Sequence, residues 1–124
     1  DITDLVIDGG SGTDTARSLP CLFSDLGTAR FTVAGAFGRE NVLDVLARTG
    51  VAVRWLENNS GCKGVCDAVE TRVLSEATHP GRCIAGECFD EVLLDGLRQA
   101  LAEKTPERLL VLHMRGSHGP AYYK

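Results

Sequence analysis

Short apolar runs alternate along this chain with glycine-bearing polar loops and with stretches of helical period. Residues 4–7 read as a short strand, 9–12 as a turn, and a helix begins near Thr15 that Pro20 limits or kinks. Residues 28–38 show no period and read as loop. Over 39–49 the apolar positions Val42, Leu43, Val45 and Leu46 predict one face of a helix, with Gly50 where a C-cap belongs. Residues 51–56 predict a strand carrying Val51, Val53 and Trp55 on one face. A polar loop covers 58–67, and 68–87, rich in Thr, Gly and charge, reads as an irregular excursion. The clearest helix spans 89–104: Phe89, Leu93, Leu97 and Leu101 recur every four residues, acidic residues open it, and Lys104 and Pro106 close it. Residues 109–112 form a continuous apolar run, as in a strand covered on both faces. There is no internal repeat. Strands alternating with helices predict an α/β fold, an α/β/α sandwich around a mainly parallel sheet.

That order gives the polar loops their meaning. In open α/β sheets ligands bind at the carboxyl ends of the strands. Three loops follow apolar runs here: Gly9-Gly10-Ser11-Gly12-Thr13-Asp14-Thr15, the loop of 58–67, and the C-terminal run from His113. The first can present free backbone N–H groups and a positive helix end, which suits a phosphate. It fits neither a Walker A motif nor a dinucleotide fingerprint. Its hydroxyls, Thr13 and Thr15, read either as an N-cap or as a nucleophile. The second loop holds Asn58, Asn59, Ser60 and Lys63. Asn and Ser are ordinary turn residues, and Asn58-Asn59-Ser60 also matches a glycosylation acceptor. Against those readings stands a cation, Lys63, between Cys62 and Cys66. In the third loop His113, directly after a buried strand, reads as structural. His118 lies past the strand end, where an imidazole can bind phosphate oxygen or shuttle a proton.

Composition narrows the setting. The chain has 124 residues, 44% of them hydrophobic, enough for one small unit with a modest core. A net charge of -4 argues against nonspecific binding to nucleic acid. No apolar stretch approaches the ~20 residues of a membrane helix. Without an initiator Met or signal segment, and ending directly after a motif-rich loop, the chain reads as a piece of a longer protein. Of five cysteines, Cys62/Cys66 and Cys83/Cys88 are spaced as local clips, which suits an oxidising compartment. A four-cysteine zinc site would want tighter knuckles. Cys21 is left over.

Four segments together resemble one family: Glu40-Asn41-Val42-Leu43-Asp44-Val45-Leu46, Asn58-Asn59-Ser60-Gly61-Cys62-Lys63-Gly64, Cys88-Phe89-Asp90-Glu91 and Gly116-Ser117-His118-Gly119-Pro120-Ala121-Tyr122. They are similar to the phosphoethanolamine transferases that modify lipid A. This group includes the colistin-resistance enzymes and belongs to the alkaline phosphatase/sulfatase superfamily. The similarity runs in register from about Ser11 to Lys124.

The resemblance implies that residues 1–124 are part of a periplasmic catalytic domain, following N-terminal helices in the bacterial inner membrane. It implies zinc, and transfer of phosphoethanolamine from phosphatidylethanolamine to a lipid A phosphate by a monomer. By position, Thr15 matches the nucleophile, which forms a covalent intermediate and also ligates zinc. Asn59, Lys63 and His118 match residues that bind the phosphoethanolamine group. In the family a cysteine four positions before the nucleophile pairs with the one matching Cys21. Here that position is Ser11, which leaves Cys21 a free thiol and makes Cys62–Cys66 and Cys83–Cys88 the expected disulfides. The segment Asp8-Gly9-Gly10 also departs from the family. The remaining zinc ligands come from regions outside these residues, so the piece alone is expected to be inactive. The other readings are a different member of the superfamily, such as a phosphoglycerol transferase or sulfatase, or a disulfide-clipped module without activity.

Overall fold

Among the described residues three parallel strands make the sheet, and the middle one organises everything else. β1 (Ala52–Glu57) lies between β2 (Glu70–Val73) and β5 (Arg108–His113), parallel to both. A computed structural model describes residues 14–27 and 29–116. The fold is the mainly parallel α/β arrangement that the alternation predicts. The Asp4–Ile7 strand and the turn of 9–12 lie outside the described residues.

Side-chain alternation along β1 decides which helix packs on which face. Val53 and Trp55 are buried against Leu43 of α3 (Val42–Arg48), together with Cys62, Val65 and Cys66. Leu19 and Phe23 of α1 (Thr15–Phe23) complete that side, with the Phe23 ring edge-on to Trp55 at 5.8 Å. Leu56 points the other way, onto α4 (Val92–Ala102). Gly96 makes that approach possible: a Cβ there would meet Leu56 Cδ1 at 3.2 Å. Gly96→Val should therefore cost about 1–3 kcal/mol through overpacking, a loss that urea unfolding would read directly.

Several boundaries differ from the sequence reading, each for a local reason. Asp14, not a threonine, caps α1, its Oδ1 accepting from Ala16 N at 3.1 Å, and the helix runs through Pro20 to Phe23. Residues 33–37 are a short helix, α2 (Val33–Phe37), inside the expected loop, because Thr32 Oγ1 accepts from Gly35 N. α3 starts three residues later than predicted: Asn41 and Asp44 form a capping box that fixes Val42 as its first residue. Its inward residues are Leu43, Leu46 and Ala47, while Val42 and Val45 are exposed.

The excursion at 68–87 contains β2. Its Glu70-Thr71-Arg72-Val73 sequence has no apolar alternation, and it is held instead by Arg54 and Arg72 paired with Glu70 and Glu103. There also lies a hairpin of β3 (Cys83–Ile84) and β4 (Glu87–Cys88), turned by Ala85 and Gly86, both at positive φ. α4 is shorter than the 89–104 reading, with Val92, Leu93, Gly96 and Ala100 buried and Phe89 and Leu101 exposed. β5 is half-buried throughout, so β1 rather than β5 is the most deeply covered strand described.

Candidate active site

β1 and β5 run parallel with Glu57 opposite His113, so the loops that follow them leave the sheet side by side at its carboxyl end. Hydrogen bonds join the two. Asn58 N donates to His113 O at 3.0 Å, and Asn59 Nδ2 donates to Met114 O at 2.7 Å. Asn58 is buried, and its Nδ2 is spent on Cys88 O and Asp90 Oδ1. This excludes the glycosylation reading. With Nδ2 committed, Asn59 Oδ1 is left a buried acceptor that meets no donor among the described residues.

Beneath Asn59 sits Glu57, the one buried carboxylate among the described residues. Glu57 accepts from Trp55 Nε1 at 3.0 Å, from the Asn59 amide at 2.7 Å and from His113 Nδ1 at 2.9 Å. Burial pushes the Glu57 carboxyl up, but the bonds from His113, Trp55 and Asn59 outweigh it and hold the carboxyl below its ordinary value. An ionised carboxylate only accepts, so His113 Nδ1 carries the hydrogen. The His113 ring also lies edge-on to Trp55 at 5.7 Å. These contacts agree with a structural part for His113.

The rest of the second loop is tightly wound. Gly61, Lys63 and Gly64 all have positive φ, and the Cys62–Cys66 disulfide closes the turn around them. For Lys63 that conformation costs roughly 1–2 kcal/mol. Lys63 Nζ donates to Ser60 O at 2.7 Å, and an ammonium has two further hydrogens to offer. A cavity of about 730 Å³ opens beside the loop, bounded by Pro20, Phe37, Arg39, Asn41, Lys63 and Gly64. The second disulfide joins Cys83 to Cys88 across the hairpin, and Cys21 is free.

Thr15 is the first residue of α1, half-buried, at the helix end where Asp14 accepts from Ala16 N. Since Asp14 provides the cap, the Thr15 hydroxyl is not needed for it. Ser11, Thr13 and His118 lie outside the described residues. The described residues brought together are Asn59, Glu57, His113 and Asp90. Glu57 and Asp90 were missed as site residues in the sequence. A charge closing an apolar strand and the Asp of the Cys88-Phe89-Asp90-Glu91 segment were the available signals.

One group among the described residues has metal-ligand spacing, Cys62, Cys66 and Asp67, but both sulfurs are consumed in the disulfide and Asp67 is exposed. Zinc binds thiolates, not disulfides. That group therefore offers a metal no thiolate. No helix among the described residues is long and apolar enough to cross a membrane.

Comparison with known proteins agrees with this architecture. The phosphoethanolamine transferase EptA of Salmonella typhimurium is 45% identical over 112 residues, 90% of this chain and 20% of that protein. The phosphatidylethanolamine transferase Mcr-1 of Escherichia coli is 42% identical over 120 residues, 91% of this chain and 22% of that one. The chain therefore spans about a fifth of the length of these relatives. Among solved structures, the soluble domain of lipooligosaccharide phosphoethanolamine transferase A from Neisseria meningitidis superposes with a TM-score of 0.86 at 43% identity, covering 92% of this chain and 34% of that one. The integral membrane form of the same transferase gives 0.83 at the same identity, over 92% of this chain and 21% of that one. The Sulfatase family profile matches residues 6–124, and the chain belongs to that family.

Proposed function

We propose that residues 1–124 are part of the periplasmic catalytic domain of an inner-membrane transferase, acting as a monomer. It moves phosphoethanolamine from phosphatidylethanolamine to a phosphate of lipid A. The observation that carries this reading is the pair of joined loops after β1 and β5, in a chain 45% identical to a protein named for phosphoethanolamine transfer. Membrane helices and further catalytic residues belong to other parts of the whole protein.

Thr15 Oγ attacks the lipid phosphorus and forms an O–P bond. The bond to the diacylglycerol oxygen breaks, and diacylglycerol leaves with a proton. A lipid A phosphate oxygen then attacks the same phosphorus and frees Thr15. Zinc, when bound at Thr15 and ligands elsewhere in the protein, would favour the threonine alkoxide and offset phosphoryl charge. The chain's own residues hold the transferred group. Lys63 and His118 donate to phosphate oxygens, and His118 can also pass a proton to the leaving oxygen. Asn59 Oδ1 is an acceptor, so within the same group it suits the ethanolamine ammonium better than a phosphate oxygen.

Lys63→Ala and His118→Ala in the intact protein should each lower headgroup transfer by about 10²–10³-fold, the usual cost of one electrostatic donor. Both should retain zinc. A transfer assay with phosphatidylethanolamine, paired with metal analysis, checks this. Wild-type rates in both variants would remove them from the site, and zinc loss in His118→Ala would make that imidazole a metal ligand.

A further inference from the structure

Asp90 is the point at which three segments meet. It follows the Cys83–Cys88 hairpin and precedes α4, and its carboxylate reaches into both site loops. Oδ1 accepts from Asn58 Nδ2 at 2.8 Å and from Arg115 N at 2.7 Å, and Oδ2 accepts from Gly116 N at 2.7 Å. Consecutive backbone N–H groups converging on one carboxylate make a rigid, charge-assisted contact. Gly116 takes a φ of 58°, so the chain turns sharply at the point where Asp90 grips it. Asn58 is fixed on the other side by Cys88 O, and Asn59 is tied to Met114 O.

Burial works to raise the Asp90 carboxyl, but the N–H bonds from Arg115 and Gly116, the Asn58 amide and the Arg115 charge hold it below its ordinary value. The carboxylate is thus available as an acceptor throughout the neutral range. As an ionised carboxylate Asp90 has no hydrogen to donate to a phosphate and would repel one. Its part is in holding other groups.

We propose that Asp90 is a positioning residue: by gripping Arg115 N, Gly116 N and Asn58 at once, it fixes the β5 loop against the β1 loop and so sets the geometry of the phosphoethanolamine site. This rests on the transferase reading above. A displacement near 1 Å in a positioned group can cost about 10²-fold in rate. Asn in place of Asp90 keeps the shape but leaves one oxygen to accept, and turns an N–H₂ group toward N–H donors.

The test uses the intact, zinc-loaded protein with phosphatidylethanolamine as donor. Asp90→Asn should lower kcat about 10–100-fold with KM changed far less and zinc content unchanged. Amide hydrogen exchange should rise at residues 58–60 and 114–116. Arg115→Ala keeps the backbone N–H that Asp90 grips, removes the side-chain charge and its pairing with Glu87 at 3.4 Å, and should stay within a few-fold of wild type. Asp90→Glu, which restores charge with a longer reach, should recover part of kcat.

Unchanged exchange in the two loops, or unchanged kcat beside a lowered melting temperature, would overturn the proposal. So would an Arg115→Ala loss equal to that of Asp90→Asn, which would make the effect one of side-chain charge. If wild-type protein transfers nothing from phosphatidylethanolamine, the transferase reading fails and the positioning role falls with it. The exchange data would then still report whether the grip exists.

Discussion

Thr15→Ala in the intact enzyme should abolish covalent phosphoethanolamine labelling and reduce transfer by about 10⁶-fold, the scale on which removal of a nucleophile acts. A methyl group can neither attack phosphorus nor ligate a metal. The substitution is well suited to the question because it should leave the helix intact. Asp14 supplies the cap of α1, and alanine is the best helix former for the position that Thr15 occupies. Loss of labelling without loss of melting temperature therefore reports chemistry. Thr15→Ser, which retains the hydroxyl, should recover measurable labelling. Intact-mass spectrometry after incubation with phosphatidylethanolamine reads the adduct, and metal analysis shows whether zinc content falls with the hydroxyl. Full labelling of Thr15→Ala would shift the nucleophile to Thr13 or Ser11 and undo the register of the first loop.

The parts of this fold that were legible in sequence were those in which one face is dry. β1 and β5 were found because Val53, Trp55 and the run at 109–112 are apolar, and their loops were found because Gly and Asn punctuate strand ends. β2 was not legible: its strand is held by backbone pairing to β1 and by Arg54, Arg72, Glu70 and Glu103, so its side chains carry no alternation. α4 was legible as a helix but not in its orientation. Its dry face is chosen by Gly96, which lets Leu56 come close, and a glycine adds nothing to an apolar period. The same limit applies to the site. Asn59 and Lys63 announce themselves as polar loop residues. Glu57 and Asp90 matter through partners 56 and 25 or 26 positions away, His113 and the Arg115–Gly116 backbone, and no local pattern records such pairings.

Glu57 should be the most costly polar position to empty. Glu57→Ala would strand Trp55 Nε1, His113 Nδ1 and the Asn59 amide as donors around a buried void. Removing one partner of a buried pair costs about 3–5 kcal/mol, and fully buried Trp55 adds to the packing loss. Glu57→Gln keeps the volume and one acceptor oxygen, so its cost should be nearer 1–3 kcal/mol. The pH dependence separates charge from shape. The carboxyl is held below its ordinary value in the folded protein, against its own desolvation, by His113, Trp55 and Asn59. The unfolded chain therefore binds a proton first as pH falls. The stability due to ionised Glu57 is fully present above the unfolded carboxyl range, near pH 4.3 for a model Glu. It is lost as pH drops through that range toward the lower folded value. Urea unfolding of wild type should lose stability across this acid window more steeply than Glu57→Gln, which has no proton to bind there, with the two curves closing on each other at low pH. Parallel curves would mean that the three donors hold Glu57 by shape alone. Because the Asn59 amide is one of those donors, Glu57→Gln should also loosen the β1 loop and lower headgroup transfer even at neutral pH, where the folded protein is fully populated.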